Sequence, residues 1–135
     1  MMVRAISFAV VFCFASAVQA QEARPAPDYF VDSVMATTTA QQLAVACPTL
    51  SFNIIAASRA TGPVMERLIE DGFDPDQLES QMTGFAEAMA ARQAAFLARH
   101  DLSDGAESEK VCAVGAAEIA EGSDIGSFLT KVAAE

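Results

Sequence analysis

The sequence has few of the residues on which several classes of binding site depend. It contains no tryptophan, one tyrosine (Tyr29) and one histidine (His100) among 135 residues. Extended platforms that stack sugars or bases need several aromatic rings, and transition-metal sites draw on histidine and free cysteine. We therefore expect no stacking platform, no metal site and no cofactor.

The first twenty residues have the three parts of a cleavable signal peptide. Arg4 is their only charge, an apolar run extends from Ala5 to Val18, and Val18-Gln19-Ala20 resembles an A-x-A cleavage site. The run of about 14 residues is shorter than the roughly 20 needed to cross a bilayer, which disfavours the alternative of an uncleaved membrane anchor. We predict a periplasmic or secreted chain without a membrane span.

Basic residues are scarce throughout the chain. The whole sequence has 8 Lys and Arg against 18 Asp and Glu, a net charge of −10. Without Arg4, the predicted mature chain has a net charge of −11. Such a surface repels nucleic acid and anionic lipid, so we expect no nucleic-acid role. The charge serves solubility or attracts a cationic partner.

Two cysteines, Cys47 and Cys112, remain after the predicted cleavage. An even pair in an oxidising compartment predicts a disulfide. The bridge would close a loop of about 65 residues and stabilise the fold by roughly 4 kcal/mol. The alternatives are an intermolecular bridge and a redox or catalytic thiol pair, although no C-x-x-C spacing supports the latter.

The predicted mature chain is long enough for one domain with one core. Residues 21–28 contain Pro25 and Pro27 and predict a flexible leader without helix or strand. Residues 29–135 predict a single helical domain. No run shows convincing strand alternation, so we predict an all-α fold, a small bundle of five or six helices with one disulfide.

Capping residues and apolar periodicity define the predicted helices. The clearest start is at Asp74, followed by Pro75 at the first helical position and by Gln77. Three threonines at 37–39 are poor helix formers and allow a break. Four predicted helices span about Tyr29–Ala46, Val64–Asp71, Pro75–Arg99 and Ala106–Glu121. Another begins at a cap, Thr49 or Ser51, and ends at Gly62-Pro63, and the last begins at the cap Ser123 and runs through Val132. Gly72 and Gly122 are predicted to end the helices that precede them.

Methionine and phenylalanine recur along one face of the predicted Pro75–Arg99 helix. The stripe consists of Met82, Phe85, Met89 and Phe96. Core packing explains this spacing in a bundle, and a groove for an apolar ligand or peptide is the alternative.

Several polar residues are candidates for a site. His100 beside Asp101 suits a general base, but a histidine at a helix carboxyl end also interacts favourably with the helix dipole. Acidic clusters suit Ca²⁺, but they lack the EF-hand order and lie near helix starts, where the dipole favours acids. These clusters are Glu70, Asp71, Asp74, Asp76 and Glu79, and Asp101, Asp104, Glu107 and Glu109.

Two further candidates involve helix faces and a helix start. Arg59 and Glu118 lie beside apolar stripes, where they form either a buried pair or two solvated charges. Ser123, within Gly122–Gly126, either caps a helix or helps to hold an anion.

The carboxyl-terminal part contains Cys112, Glu118-Ile119, Gly122-Ser123, Ile125-Gly126 and Leu129, and Cys47-Pro48 lies upstream. This pattern resembles that of an uncharacterised family of small exported proteins of Gram-negative bacteria, a domain of unknown function. The likeness would cover about residues 28–131. It implies no activity, because none is assigned to the family.

These observations favour a non-enzymatic periplasmic protein that binds or supports another protein. A sharper form of this hypothesis is a stress or acid chaperone that exposes its Met and Phe core when carboxylates are protonated. Two other classes remain as alternatives. One is a carrier of a small apolar ligand, and the other is a hydrolase-like enzyme that uses His100 with a carboxylate.

Overall fold

A computed structural model describes residues 22–133, so the predicted signal peptide lies outside the described residues. Over this range the chain forms six α-helices and four short strands, which confirms the predicted fold class. The helices are α1 (Asp28–Ala46), α2 (Ile54–Glu70), α3 (Leu78–Gln81), α4 (Phe85–Arg99), α5 (Ser108–Glu121) and α6 (Asp124–Ser127). The strands are β1 (Arg24–Pro25), β2 (Leu50–Phe52), β3 (Met82–Thr83) and β4 (Leu129–Lys131).

The first helix, α1, is the centre of the packing. It contacts α2, α4, α5, α6 and β2, and its buried positions include small residues that let neighbouring helices approach closely. The core includes Met35, Ala40, Leu43, Leu50, Phe96, Val111, Val114, Phe128 and Leu129. None of the helices within residues 22–133 combines the length and the hydropathy needed to span a bilayer.

The predicted disulfide between Cys47 and Cys112 is present. It joins the residue after α1 to the first half of α5, across a sequence separation of 65. The two Cα atoms are 5.2 Å apart, within the usual range for a bridge. Because α1 contacts most of the other helices, the bridge fixes α5 against the centre of the bundle.

Strands β2 and β4 pair antiparallel, with Ser51 opposite Thr130. The sequence predicted a helix through Val132, which is wrong, because the backbone after Phe128 is extended and bonds to β2. The second helix is capped by Asn53, whose side-chain oxygen accepts a 3.0 Å bond from the Ala56 amide. Thr49 and Ser51 were therefore the wrong cap candidates.

Two predicted interruptions are absent from the helices. Helix α2 continues through Gly62-Pro63, and α1 continues through the three threonines. The Thr37 and Thr38 hydroxyls donate to the carbonyl oxygens of Ser33 and Val34, one turn earlier. These bonds satisfy the hydroxyls within the helix, so α1 accommodates the threonines without a break.

The single helix predicted over Pro75–Arg99 is wrong, although its start at Asp74 is confirmed. The Asp74 carboxylate accepts from the Asp76 amide at 3.0 Å, and a 3₁₀ turn leads into α3. Met82 and Thr83 are then extended, and Gly84 has a φ of +71° before α4 begins. Glycine takes this left-handed conformation without the steric cost that other residues bear.

The leader is also more ordered than the sequence predicted. Strand β1 pairs in parallel with β3, and the Ala26 amide donates to the Thr83 carbonyl at 3.0 Å. The Arg24 guanidinium lies 4.0 Å from the centre of the Phe73 ring and donates to the Asp71 carbonyl. Proline has no amide hydrogen and cannot continue a local helix or sheet ladder, so this segment is held by contacts with residues distant in the sequence.

Candidate functional site

Glu118 is the centre of the candidate site, because it is a carboxylate with no exposed surface. It lies in the last turn of α5, near the end of α4 and the start of α6. Burial of an unpaired carboxylate is very unfavourable, so the partners of Glu118 decide whether this arrangement is stable.

Three side chains supply these partners. His100 Nε2 lies 2.5 Å from Glu118 Oε1, and Arg99 Nη2 donates to the same oxygen. Ser123 donates its hydroxyl to the other oxygen, Oε2. The Ser123 oxygen also accepts from the Gly126 amide at 3.0 Å, which confirms Ser123 as the cap of α6.

The partners also determine the charge of Glu118. Burial by itself would raise the pKa of this carboxyl, but the hydrogen bonds from Ser123 and His100 and the positive charge of Arg99 outweigh burial and lower the pKa. The group is therefore a carboxylate at neutral pH. Within residues 22–133, every fully buried side-chain nitrogen and oxygen has a hydrogen-bond partner.

The geometry assigns the proton on the imidazole of His100. Its Nε2 also lies 3.2 Å from Arg99 Nε, but one ring nitrogen cannot accept from an arginine and donate to a carboxylate at once. The shorter contact is with the charged oxygen of Glu118, and charge-assisted hydrogen bonds are the stronger kind. Nε2 therefore carries a hydrogen and donates to Glu118.

This arrangement differs from a Ser–His–acid hydrolase site. There the imidazole lies between the hydroxyl and the carboxylate and removes the proton of the nucleophile. Here the carboxylate of Glu118 lies between His100 and Ser123, so the hydroxyl is a donor to a buried anion. The contacts are suited to holding three helix ends together.

A cavity of about 370 Å³ opens beside Glu118, between α1, α4 and the start of α6. We call it the Arg99 cavity. Its lining residues are Asp32, Met35, Ala36, Arg92, Ala95, Phe96, Arg99, Glu118, Ser123, Asp124 and Ile125. Arg92 lies in one wall, 2.5 Å from Asp32 and 2.9 Å from Asp28, and these hydrogen bonds raise the pKa of its guanidinium.

A second cavity, of about 470 Å³, lies where the predicted long helix is broken. We call it the Met82 cleft. Its lining residues are Phe30, Leu78, Glu79, Met82, Gly84, Phe85, Ala86 and Glu87. The rings of Phe30 and Phe85 are 5.6 Å apart between centroids. Two lining residues, Glu79 and Glu87, are acidic and exposed, and none is basic.

Residues 23–130 match a protein family of unknown function, DUF5333. The chain belongs to DUF5333. This agrees with the expected resemblance to an uncharacterised domain and adds no activity. The comparisons of this DUF5333 chain with curated proteins and with solved structures find no match.

In this DUF5333 chain the structure brings together three of the four predicted site residues, His100, Glu118 and Ser123. The fourth, Arg59, is exposed on α2, and Arg99 takes the place predicted for it beside Glu118. The sequence did offer a clue to Arg99, since it adjoins His100 and shares an α4 face with Phe96 and Arg92.

The structure also places the remaining residues that the sequence singled out, the Met and Phe stripe and the acidic clusters. The predicted Met and Phe stripe divides, because Phe96 is buried and Met89 packs against the core, whereas Met82 and Phe85 line the Met82 cleft. Within residues 22–133, the acidic clusters form no group of three side chains placed to hold a metal ion.

Proposed function

We propose that the protein is an exported, non-enzymatic binding protein whose Met82 cleft holds a segment of another protein, an apolar side chain flanked by Lys or Arg. The observation that carries this proposal is the combination of an apolar floor and an acidic rim in one cleft. The disulfide and the predicted signal peptide support export, since disulfides persist mainly in oxidising compartments.

The floor of the cleft suits an apolar side chain. Phe30, Leu78, Met82 and Phe85 are each only partly buried, so a partner would remove more of their apolar surface from water, which favours binding. Methionine adapts its shape to different partners, and an aromatic pair offers a broad contact surface.

The rim sets the charge of the partner. Glu79 and Glu87 are exposed, and the chain as a whole has a net charge of −10. Five of the seven basic side chains in residues 22–133 already contact an acidic residue or an aromatic ring. They are Arg24, Arg67, Arg92, Arg99 and Lys110. Only three of these, Arg92, Arg99 and Lys110, are paired with carboxylates. The surface is negative because acidic residues outnumber basic ones, and it attracts a cationic segment.

A fluorescent peptide of alternating Leu and Lys tests this proposal, with the same peptide carrying Glu for Lys as its counterpart. We expect the purified protein to bind the Lys peptide at least about tenfold more tightly, as a charge-steered complex should. Salt raised from about 0.05 to 0.3 M should weaken binding, because salt screens exposed charges. Fluorescence anisotropy measures both effects.

Variants locate the binding at the cleft. The double variant Glu79→Gln/Glu87→Gln should weaken the Lys peptide several-fold, and Met82→Ser should weaken it further by making the floor polar. Asp104→Asn/Glu107→Gln removes the same charge from the loop between α4 and α5 and should leave affinity unchanged. Equal loss in this control, or equal affinity for both peptides, would show the proposal to be wrong.

The buried Glu118 favours a second candidate, the acid chaperone. Protonation of Glu118 would remove the anion that holds the ends of α4, α5 and α6 together. We expect hydrophobic dye binding and protection of an aggregating client to appear as pH falls through the carboxylate range, between about 7 and 2. Glu118→Gln should bind dye already at neutral pH. Absence of both effects would exclude this candidate.

A further inference from the structure

We propose that the Arg99 cavity binds a small apolar α-amino acid, with its zwitterionic head at Arg99 and Asp124 and its side chain on the apolar floor. This site is separate from the Met82 cleft, because the two cavities share no lining residue. The inference does not depend on the function proposed for that cleft.

The charged residues that line the Arg99 cavity favour a ligand with a positively charged group. Arg92 is paired with Asp28 and Asp32, and Arg99 is paired with Glu118. Asp124 lines the same cavity, is exposed, and has no ion-pair partner within residues 22–133. The lining carboxylates of Asp32, Glu118 and Asp124 outnumber the two arginines, so the cavity has an excess negative charge that a ligand ammonium beside Asp124 would offset.

Arg99, in the same cavity, favours a ligand that also has a hydrogen-bond acceptor. Arg99 uses Nη2 toward Glu118 and places Nε beside His100, while within residues 22–133 Nη1 has no hydrogen-bond acceptor. More than half of the Arg99 side chain is exposed, so a ligand can reach it. A carboxylate next to an ammonium, the head of an amino acid, matches an arginine donor beside an aspartate.

The size and floor of the cavity limit the rest of the ligand. Arg92 and Arg99 are seven residues apart on α4, about 10 Å along the axis, and the cavity holds about 370 Å³. Between these arginines the floor is apolar and rigid, since Phe96 and Met35 are buried in the core. This space suits an apolar side chain of leucine size.

Titration of the ¹⁵N-labelled protein with L-leucine, followed by NMR, tests the inference. We expect shifts at Arg99, Asp124 and Ile125 and a Kd of about 1 mM or below. 4-Methylpentanoate, which lacks the ammonium, and isoamylamine, which lacks the carboxylate, should each bind at least about tenfold more weakly, since each leaves one charged partner unpaired.

Two variants probe the head and the floor separately, and the spectrum reports whether each remains folded. Asp124→Asn should weaken leucine at least about tenfold, and Ala95→Phe should block binding by filling the cavity from its exposed side. Asp104→Asn is the control with the same charge change and should bind normally. No shifts at about 20 mM leucine, shifts at the Met82 cleft instead, or unchanged binding by Asp124→Asn would each overturn the inference.

Discussion

At the scale of single residues, the buried Glu118 combines an unfavourable loss of hydration with favourable hydrogen bonds and ion pairs. Its carboxylate loses all contact with water, and it is stable there because Arg99, His100 and Ser123 replace the lost hydration. Hydrogen bonds to a charged group are typically worth about 1.5–3 kcal/mol, and the Arg99 side chain that Glu118→Gln would leave unpaired is more than half exposed. We therefore expect Glu118→Gln to lower the free energy of unfolding at pH 7 by about 2 kcal/mol, as measured by urea denaturation.

This contribution depends on pH with a defined sign. The folded pKa of Glu118 is lowered, so its stabilisation is complete above the unfolded value of about 4.3 and is lost as pH falls through the folded pKa. The stability difference between wild type and Glu118→Gln should therefore be largest near pH 7 and shrink below about pH 4. Glu121→Gln, one turn further and exposed, should change stability by less than about 0.5 kcal/mol at either pH. A difference independent of pH would contradict this assignment.

The sequence predicted three of the four residues in the cluster around Glu118, but it predicted the wrong arginine. His100, Glu118 and Ser123 stood out because each is a polar residue beside an apolar stripe or at a helix end. The arginine was misassigned to Arg59 because apolar periodicity shows which face a residue shares, whereas the approach of α4 to α5 decides which arginine reaches Glu118. That approach depends on packing between residues that are distant in the sequence.

At the scale of elements, two helical glycines differ in the space around them, so replacing each by alanine should change stability in opposite directions. A Cβ added to Gly126 would overlap the backbone carbonyl of Glu118, whereas one added to Gly62 would meet nothing within 4 Å. We expect Gly126→Ala to destabilise by at least about 2 kcal/mol through overpacking. Gly62→Ala should stabilise by roughly 0.5–1 kcal/mol, because alanine loses less entropy in a helix. Urea midpoints at constant m-value check both, and equal effects would refute this account of how α5 and α6 approach each other.

The predicted helix boundaries failed where tertiary pairing overrides local preference. Periodicity extended one helix over Pro75–Arg99, but Met82 and Thr83 pair with β1, a partner more than fifty residues earlier. The reverse error occurred at Gly62-Pro63, where α2 tolerates two helix-breaking residues. Two of the predicted caps, Asp74 and Ser123, are confirmed, since they bond only to residues within one or two turns, whereas the cap of α2 is Asn53 and not Thr49 or Ser51.

At the scale of the whole molecule, the disulfide is the one covalent link between distant segments within residues 22–133. Closing a loop of 65 residues is worth roughly 4 kcal/mol by loop-entropy reasoning. We expect reductant to lower the free energy of unfolding by about this amount. The Cys47→Ala/Cys112→Ala variant should be equally unstable with and without reductant. A reductant effect that persists in this variant would rule out the bridge as its cause.

The position of strand β1 has a practical consequence for anyone who prepares the protein. Arg24 is paired in register with Met82, and Met82 lines the cleft to which we assign partner binding. An affinity tag or fluorescent fusion joined directly ahead of residue 24 would therefore start next to that opening and crowd it. Handles for pull-down or imaging belong at the other end of the polypeptide, after β4.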